Sequence, residues 1–498
     1  MSDKRSARYP GAYAFADDPL ARRLFFARGR ESIALANQIL SNRLVVLFAR
    51  SGLGKTSLLN AGVSERLRDE GFTPLPVRLN DTRTEPVLAL YAAIEDACRR
   101  QKIEYVCGSQ LSFWHFFKTA EFWRGDRLLT PVLILDQFEE LFTLYSERRR
   151  GAFLDQLSFI VRGIRPSSLP SDDDENKPAG RGISLLGDTP PPLRIVISMR
   201  EDFLPRLEEV ADRIAQILDV RCRLLPLSRE AATEAIDEPA GVEDQGLATH
   251  PFEIDKSTKE TILDFLTQRG GRSTDAVEPF QLQLICQHIE SAAALKQREA
   301  TAGERVVVTL QDLGGVNGLR DILKDFYKRQ VEAVPGVLRR RRVRKLCSEY
   351  LISPQGRRLR MEETEIQRLV RVDQPTLHVL VDKRLLRADQ SADGVYYELS
   401  HDSLIGPVLD TQRWRFLARA IGSAMGALLL LSIAAGWFGF LSLLLAPIKT
   451  TLGRRDPFEL VFMAAVIFSV GVVSVVSVRQ LLRAFRISRD MVQRSRIR

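Results

Sequence analysis

The sequence predicts an α/β fold built on a parallel β-sheet, and three apolar runs predict it. Residues 44–48, 131–135 and 193–199 have the length and apolar character of buried strands. A glycine turn and a helical pattern follow the first run, which is the order of elements in parallel sheets. Residues 73–80 indicate one more strand, and residues 85–100 indicate a helix.

The turn after the first run has the composition of a phosphate-binding loop. Its residues and the start of the next helix are Ser51, Gly52, Leu53, Gly54, Lys55, Thr56 and Ser57. Backbone N–H groups of such a turn point at the phosphates of a nucleotide, and the helix N-terminus adds positive potential. Lys55 is expected to reach the β- and γ-phosphates, and the Thr56 hydroxyl to bind Mg²⁺. The motif begins with Ala49 instead of its usual glycine, and a chance glycine-rich turn is the alternative.

Carboxylates follow the second apolar run. Asp136 ends the predicted strand, where a chain with a phosphate loop is expected to carry its second Mg²⁺ ligand. Glu139 and Glu140 come one helical step later and are candidates to orient or activate an attacking water. A charged helix start favoured by the helix dipole is the alternative for this pair. Gln137 stands where many hydrolytic relatives carry glutamate, which predicts slow turnover.

Two arginines extend the candidate site. Arg200 ends the third apolar run and is expected to reach the γ-phosphate and report its presence, with a surface ion pair as the alternative. Arg30 follows Gly29 shortly before the first strand, in a segment that is expected to shape the adenine pocket. A simple helix cap is the alternative for this second arginine.

The composition bounds the size and the class of the protein. A chain of 498 residues predicts two to four domains. The net charge is +9, but seven arginines and one aspartate within residues 479–498 supply most of it. Charge therefore gives no support for nucleic acid as a partner of the folded part. The five cysteines are scattered without C-x-x-C spacing, which is typical of reduced thiols in a cytosolic domain.

Two uncharged segments lie near the end of the chain. Residues 420–448 and 460–478 contain 29 and 19 residues without a charge, and about 20 apolar residues span a bilayer. Both are predicted to be transmembrane helices, with a buried globular hairpin as the alternative. Arginines flank the pair on both outer sides, which predicts that the N-terminal domains and the C-terminal tail are cytoplasmic. The protein is therefore expected to be a multi-pass protein of the inner (cytoplasmic) membrane that contacts membrane lipids.

Two polar stretches are expected to lie at the surface. Residues 165–192 are rich in proline, glycine, serine and acidic residues, which predicts a disordered insertion. Residues 339–345 read RRRRVRK, which indicates a solvated helix face or a site for nucleic acid or anionic lipid.

Six motifs in a fixed order identify a family resemblance. They are YPG, FF followed by GRE, SGLGKTSLLNAG, LDQFEELFT, SMREDFL and LPLSREAATEAIDEPA. Together they resemble the novel STAND group of signal-transduction NTPases over about residues 9–414. The resemblance implies an αβ nucleotide domain, a helical domain and a winged helix that close over ADP and open with ATP. It assigns Lys55 and Thr56 to phosphate and Mg²⁺, Asp136 to Mg²⁺, and Arg200 to the γ-phosphate.

Two further motifs resemble the family downstream. Pro279 is similar to the proline of the adenine-side G-x-P motif, although Val277 replaces the glycine. His401, followed by Asp402, resembles the winged-helix histidine that touches the β-phosphate of ADP. Without the resemblance, this histidine would be interpreted as packed or exposed. One charge-assisted hydrogen bond contributes about 1.5–3 kcal/mol, which is less than the 5.5 kcal/mol or so that a complete switch needs.

These features predict a succession of domains. They are residues 1–30, a leader; 31–226, a P-loop NTPase domain; 227–330, a helical domain; 331–414, a winged helix; and 415–498, the transmembrane α-hairpin and a basic tail.

The expected function is that of a membrane-anchored, slow ATPase that acts as a signalling switch, with ATP or ADP and Mg²⁺ as cofactors. A bacterial anti-phage defence or programmed-death role through the hairpin is the hypothesis for its output. The expected partners are a second copy of the chain on activation and a separate sensor protein. The alternatives are a nucleotide-binding membrane scaffold with little hydrolysis and a winged-helix DNA-binding ATPase.

Overall fold

The computed structural model describes most of the chain. The described residues are 5–80, 84–166, 189–214, 216–269, 272–273, 275–301, 304–391, 394–400 and 404–411. Four predictions therefore fall wholly or largely outside the described residues. They concern His401, the hairpin and tail at 415–498, its segments 420–448 and 460–478, and the insertion at 165–192.

The strands are short, and the longest apolar strands lie within residues 44–200. In chain order they are β1 Leu44–Ala49, β2 Phe72–Val77, β3 Glu104–Val106, β4 Glu121–Arg124, β5 Arg127–Leu128, β6 Thr130–Asp136, β7 Arg194–Arg200, β8 Arg221–Arg223, β9 Glu253–Ile254, β10 Gln268–Arg269, β11 Arg272–Ser273, β12 Val307–Val308, β13 Met361–Glu362, β14 Leu386–Ser391 and β15 Gly394–Leu399.

The helices surround and follow these strands. In chain order they are α1 Pro19–Arg23, α2 Gly29–Ser41, α3 Lys55–Ser57, α4 Ser64–Asp69, α5 Pro86–Gln101, α6 Phe113–Thr119, α7 Glu139–Leu144, α8 Glu147–Arg162, α9 Leu204–Glu208, α10 Arg229–Gly241, α11 Lys256–Thr267, α12 Pro279–Glu299, α13 Gly315–Glu332, α14 Val337–Lys345, α15 Glu363–Glu365 and α16 Gln374–Asp382. A π-helical segment, Leu58–Val63, joins α3 to α4.

Five strands form a parallel central sheet in the spatial order β2-β6-β7-β1-β8. β1 pairs with β7 along its whole length, so that Ala49 ends opposite Arg200. Asp136 at the end of β6 lies opposite Ser198 of β7. Because the strands run in one direction, these carboxyl ends meet at one edge of the sheet. The predicted α/β fold with a parallel sheet is confirmed, and β8 is a strand that the sequence did not predict.

Apolar side chains fill both faces of this sheet. Val45 and Leu47 of β1 pack in one core with Leu35 and Ile39 of α2. Val46, between them in the sequence, packs in the opposite core with side chains of α5 and α8. This burial on two faces explains why the strands read as uninterrupted apolar runs.

The first described residues cross the helices α10 and α12. The backbone N–H of Ser6 donates to the carbonyl of Gly246 at 2.8 Å. The Arg8 backbone N–H donates to the Glu290 carboxylate at 2.9 Å, and its buried guanidinium donates to backbone carbonyls after α10. These bonds fix the start of the leader on the helices and bring residues 11–15 to the sheet edge.

The last described region contains α14 to α16 and an antiparallel sheet of three strands in the order β13-β15-β14. It corresponds to the residues predicted to form a winged helix. β14 lies against α7, the helix that follows β6 of the central sheet. The C-terminal sheet therefore reaches the edge of the central sheet at which the candidate site residues end.

The predicted location in the inner membrane is corrected by the structure. Within the described ranges, no helix has the combination of length and apolar character that crossing a bilayer requires. The two segments on which the prediction depended are not among these ranges, so the described chain contains no element that supports a multi-pass membrane protein.

Candidate functional site

The loop between β1 and α3 has the backbone that the glycine motif predicts. Gly52 and Gly54 have φ angles of 81° and 92°, in the left-handed region that favours glycine. A Cβ atom on Gly54 would meet no atom within 4 Å, so conformation, and not space, requires glycine there. Helix α3 starts at Lys55, and the loop and the residues of α3 line one cavity.

Lys55 and Ala49 are joined across this loop. The Lys55 Nζ atom donates to the Ala49 carbonyl at 3.2 Å. Burial lowers the pKa of the Lys55 ammonium, whereas the charges of Glu139 and Asp136 act in the opposite direction. An anion beside Nζ would therefore stabilise the charged form of Lys55, which burial disfavours.

Asp136 is held by two hydroxyl groups. Thr56 Oγ1 donates to Asp136 Oδ2 at 2.8 Å, and Ser198 Oγ donates to Asp136 Oδ1 at 2.7 Å. The predicted Mg²⁺ residues Thr56 and Asp136 are thus brought together. In the described part of the chain, no group of three or more His, Cys, Asp or Glu residues could hold a metal ion alone. A Mg²⁺ ion here would need phosphate oxygens and waters as further ligands, which is its usual preference.

Glu139 is buried and paired with the C-terminal sheet. Its Oε1 atom lies 2.7 Å from Arg387 Nη2, and only 1% of Glu139 is exposed. Its Oε2 atom accepts the backbone N–H of Arg200 at 3.2 Å. The carboxylate that was predicted to act on water is therefore tied to a residue of β14.

Glu140 is paired within the central domain. Arg78, just beyond β2, donates to both of its carboxylate oxygens, with contacts of 2.5 and 3.1 Å. Burial raises the pKa of Glu140, and the Arg78 charge acts in the opposite direction. Glu139 and Glu140 form the first turn of α7, as in the alternative of a charged helix start, and both are buried and paired with arginines.

Arg200 makes ion pairs on both sides of its guanidinium. It lies 2.6 Å from Asp202 and 2.7 Å from Glu398 of β15. Burial lowers the pKa of Arg200, but Glu398 and Asp202 more than offset this effect, so the pKa lies above its ordinary value. Arg200 and Glu398 are 7% and 9% exposed, so their ion pair is buried, whereas the Asp202 side chain is 55% exposed.

The opposite end of the cavity is aromatic and apolar. The cavity has a volume of about 300 Å³ and extends from the phosphate loop to the start of α12. Its wall there consists of side chains from the leader, the segment before α10, α10 and α12: Tyr13, Phe15, Leu227, Ala235, Pro279, Phe280 and Gln283. The leader is fixed to the loop helix because the Phe15 backbone N–H donates to Ser57 Oγ at 3.2 Å. Pro279 thus lines the same cavity as the phosphate loop, and its place beside adenine stays a prediction.

Arg30 lies on the exposed side of α2, and the arginine of this segment that reaches the cavity is Arg28. Arg28 lines the cavity, donates to the Leu225 carbonyl at 2.7 Å and pairs with Glu31 at 2.6 Å. Arg28, Arg78 and Arg387 were all missed by the sequence reasoning. Spacing in the glycine and arginine segment could have indicated Arg28, but no local pattern marks the other two.

Comparison with protein families gives a match that covers most of the chain. The family described as novel STAND NTPase 1 matches residues 9–430. No match was found among curated proteins.

Several solved structures are similar at low identity. The ORC2 protein of Aeropyrum pernix, in ADPNP and ADP complexes, is 13% identical, covers 82% of this chain and 97% of its own, and has a TM-score of 0.38. A Walker-type ATPase of Pyrococcus abyssi is 13% identical, with 78% and 97% covered and a TM-score of 0.37. AMPPCP-bound DnaA of Aquifex aeolicus is 14% identical, with 72% and 90% covered and a TM-score of 0.31. TM-scores this low support no inference about this chain.

Proposed function

The chain belongs to the novel STAND NTPase 1 family, and we propose that it is a switch in which ATP and ADP set the contact between the central and C-terminal sheets. One observation carries the proposal. Two buried ion pairs, Arg387–Glu139 and Arg200–Glu398, join these sheets beside the phosphate loop. Each pair contains a residue of the central domain that the sequence predicts to act on the γ-phosphate or on the attacking water.

The cavity fits a nucleotide with its phosphates at the charged end. Lys55 and the glycine loop form a cradle for anions, and Thr56 with Asp136 provides a hydroxyl and a carboxylate for Mg²⁺. The aromatic end suits a base. Bound ATP supplies a γ-phosphate that an arginine can pair with, whereas ADP does not.

Competition for Arg200 is the proposed link between the nucleotide and the fold. A γ-phosphate within reach of the guanidinium competes with Glu398 and Asp202, because an arginine has a limited number of donors in fixed directions. Removing one partner of a buried ion pair costs about 3–5 kcal/mol. A shift from 1:99 to 99:1 needs about 5.5 kcal/mol, so the two pairs have the magnitude that a switch requires.

The C-terminal region supports the proposed succession of domains. Helices α14 to α16 lead into the hairpin of β14 and β15, which is the order of elements in a winged helix. We propose that release of this region from the central sheet exposes a surface for a second copy of the chain and responds to a separate sensor protein. A bacterial defence output stays a prediction from the family resemblance.

Amide hydrogen exchange of the purified full chain tests the switch. With Mg²⁺, a non-hydrolysable ATP analogue is expected to increase exchange in β15 and at the start of α7 relative to ADP, because the ion pairs between them weaken. Lys55→Ala should abolish the difference, since the phosphates lose their cation. Lys328→Ala, an exposed lysine of α13, is the matched control and should keep it.

Equal exchange with both nucleotides, in a chain that binds both, would contradict the switch. Failure of the chain to bind either nucleotide would contradict the whole proposal.

A nucleotide-binding scaffold with little hydrolysis is the second candidate, and a specific observation favours it. Glu139 and Glu140, the predicted water-activating carboxylates, are both held by arginines. The residue after Asp136 is Gln137, which cannot accept a proton as a glutamate does. Phosphate release by the wild type, Asp136→Asn and Glu140→Gln separates the candidates. A slow ATPase should lose its release in both variants, whereas a scaffold should show the same background in all three.

A further inference from the structure

Gln283 has an unsatisfied polar atom in the wall of the cavity. It lies one turn after Pro279, the first residue of α12, and lines the aromatic end. Its Oε1 atom is shielded from solvent and has no hydrogen-bond partner among the described residues. A buried amide oxygen without a partner is costly, so a hydrogen-bond donor is expected to reach it in the working protein.

The surroundings of Gln283 select the kind of molecule that brings this donor. Phe280 lies beside it on the same helix and is fixed by edge contact with Phe326, with ring centroids 5.9 Å apart. The leader passes close by, because a Cβ atom at Gly11 would lie only 2.6 Å from the Gln287 side chain one turn further on. The leader and α12 therefore both border the cavity beside Gln283, and their aromatic side chains suit a flat, apolar ring with polar atoms at its edge.

We propose that Gln283 is the specificity-determining residue for the base and that its amide binds the amino edge of adenine. This inference rests on the proposed nucleotide-binding function and names the base-reading contact of the same site. The amide oxygen accepts the N6 amino group, and the amide nitrogen donates to N7, which is the pairing that glutamine makes with adenine. Guanine presents two acceptors, O6 and N7, at this edge, so one of its two contacts is lost.

The position of Gln283 on a different element from the charged residues supports a role in selection and not in phosphate binding. Asp136, Glu139 and Arg200 line the same cavity from the ends of β6 and β7 and the start of α7, whereas Gln283 lines it from α12. Gln283 has no ion pair or hydrogen bond to any of them. Its substitution should therefore alter which base is bound and leave the phosphate contacts in place.

Equilibrium binding of ADP and GDP to the full chain, measured by titration calorimetry, tests this role. The wild type is expected to prefer ADP. Gln283→Met keeps the length of the side chain but removes both hydrogen-bonding groups, so ADP affinity should fall about tenfold and GDP affinity, which depends on one of the two contacts, should fall less. Gln283→Asn withdraws the amide by one methylene and should also lower the ADP preference. Gln281→Met, on the same helix but outside the cavity wall, is the matched control and should bind like the wild type.

The outcomes separate this inference from the proposed function. Equal affinity of the wild type for ADP and GDP overturns the role of Gln283 but leaves nucleotide binding intact. An equal loss of both nucleotides in Gln283→Met, or no loss in either Gln283 variant, also overturns it. A wild-type chain that binds neither nucleotide overturns both. Thermal unfolding of each variant verifies that the fold is retained.

Discussion

The two ends of the cavity are built differently. At the phosphate end, charged side chains pair with one another, and two of these pairs reach the C-terminal sheet. At the base end, the leader and α12 supply aromatic and apolar side chains. There Arg384, in the turn between α16 and β14, stacks on Tyr13, which is 54% exposed. Under the proposed function, this difference means that the base and the γ-phosphate would be recognised by different residues.

The electrostatic character of the phosphate end explains this division. Interactions between buried charges are strong and extend over several ångströms, so adding a phosphate affects every pair around it. Hydrogen bonds and stacking with a base act only at contact distance. Coupling to the C-terminal sheet is therefore expected from changes at the phosphate end and not from changes at the base end.

The largest expected effect comes from breaking the ion pair at Glu139. Arg387→Ala leaves this carboxylate buried and unpaired, which should lower the free energy of unfolding by about 3–5 kcal/mol. The double variant Glu139→Ala with Arg387→Ala should recover much of the loss, because no unpaired charge remains. Chemical denaturation of both single variants and the double variant measures the coupling. If the losses of free energy in the two single variants simply add up in the double variant, the Arg387–Glu139 pair contributes no coupling energy between the two sheets.

A smaller effect is expected from straining the phosphate loop. Gly54→Ala places a Cβ atom at a φ of 92°, which costs about 1–2 kcal/mol and should weaken ADP binding about tenfold. The ratio of ADP to GDP affinity should stay as in the wild type, because the base end is untouched. Calorimetric titration with both nucleotides measures this. A changed ratio would mean that the two ends are not independent.

A local motif was enough to predict which residues lie together beside the loop, and their roles toward a nucleotide stay predictions. The positions of Lys55, Thr56 and Asp136 follow from a glycine turn and from the carboxyl end of an apolar strand, and the structure brings these residues together. The partners at the phosphate end could not be predicted. Arg387 and Glu139 are 248 residues apart in sequence, and neither has a pattern that indicates the other.

The same limit applies to burial. Glu139 and Glu140 were predicted to act on a water, with a charged helix start favoured by the helix dipole as the alternative. Tertiary packing of β14 against α7 decides that Glu139 is buried, and Arg78 beyond β2 pairs with Glu140. Local sequence gives the type of each element, whereas the partner of a buried charge depends on how distant elements meet.

A stabilising change is expected at Gln137, where the phosphate end carries backbone strain. Gln137 has a φ of 56°, a left-handed conformation that costs a residue with a side chain about 1 kcal/mol or more. Gln137→Gly should therefore remove about 1 kcal/mol of strain. The greater entropy of glycine in the unfolded chain offsets part of this gain, so the net rise in the free energy of unfolding should be smaller. Chemical denaturation measures the change. A loss of stability would show that the side chain contributes more than the strain costs.

The smallest expected effect concerns Ala49, at which the phosphate-loop motif departs from its usual glycine. Ala49 is fully buried at the end of β1 and opposite Arg200, and its carbonyl accepts a hydrogen bond from Lys55. Ala49→Gly keeps this carbonyl, so ADP affinity should change little, while the free energy of unfolding should fall by about 0.5–1 kcal/mol because glycine weakens a strand. Titration with ADP and denaturation of the same preparation measure the two effects. A large gain in ADP affinity would instead mean that the Ala49 methyl group narrows the loop and limits phosphate binding.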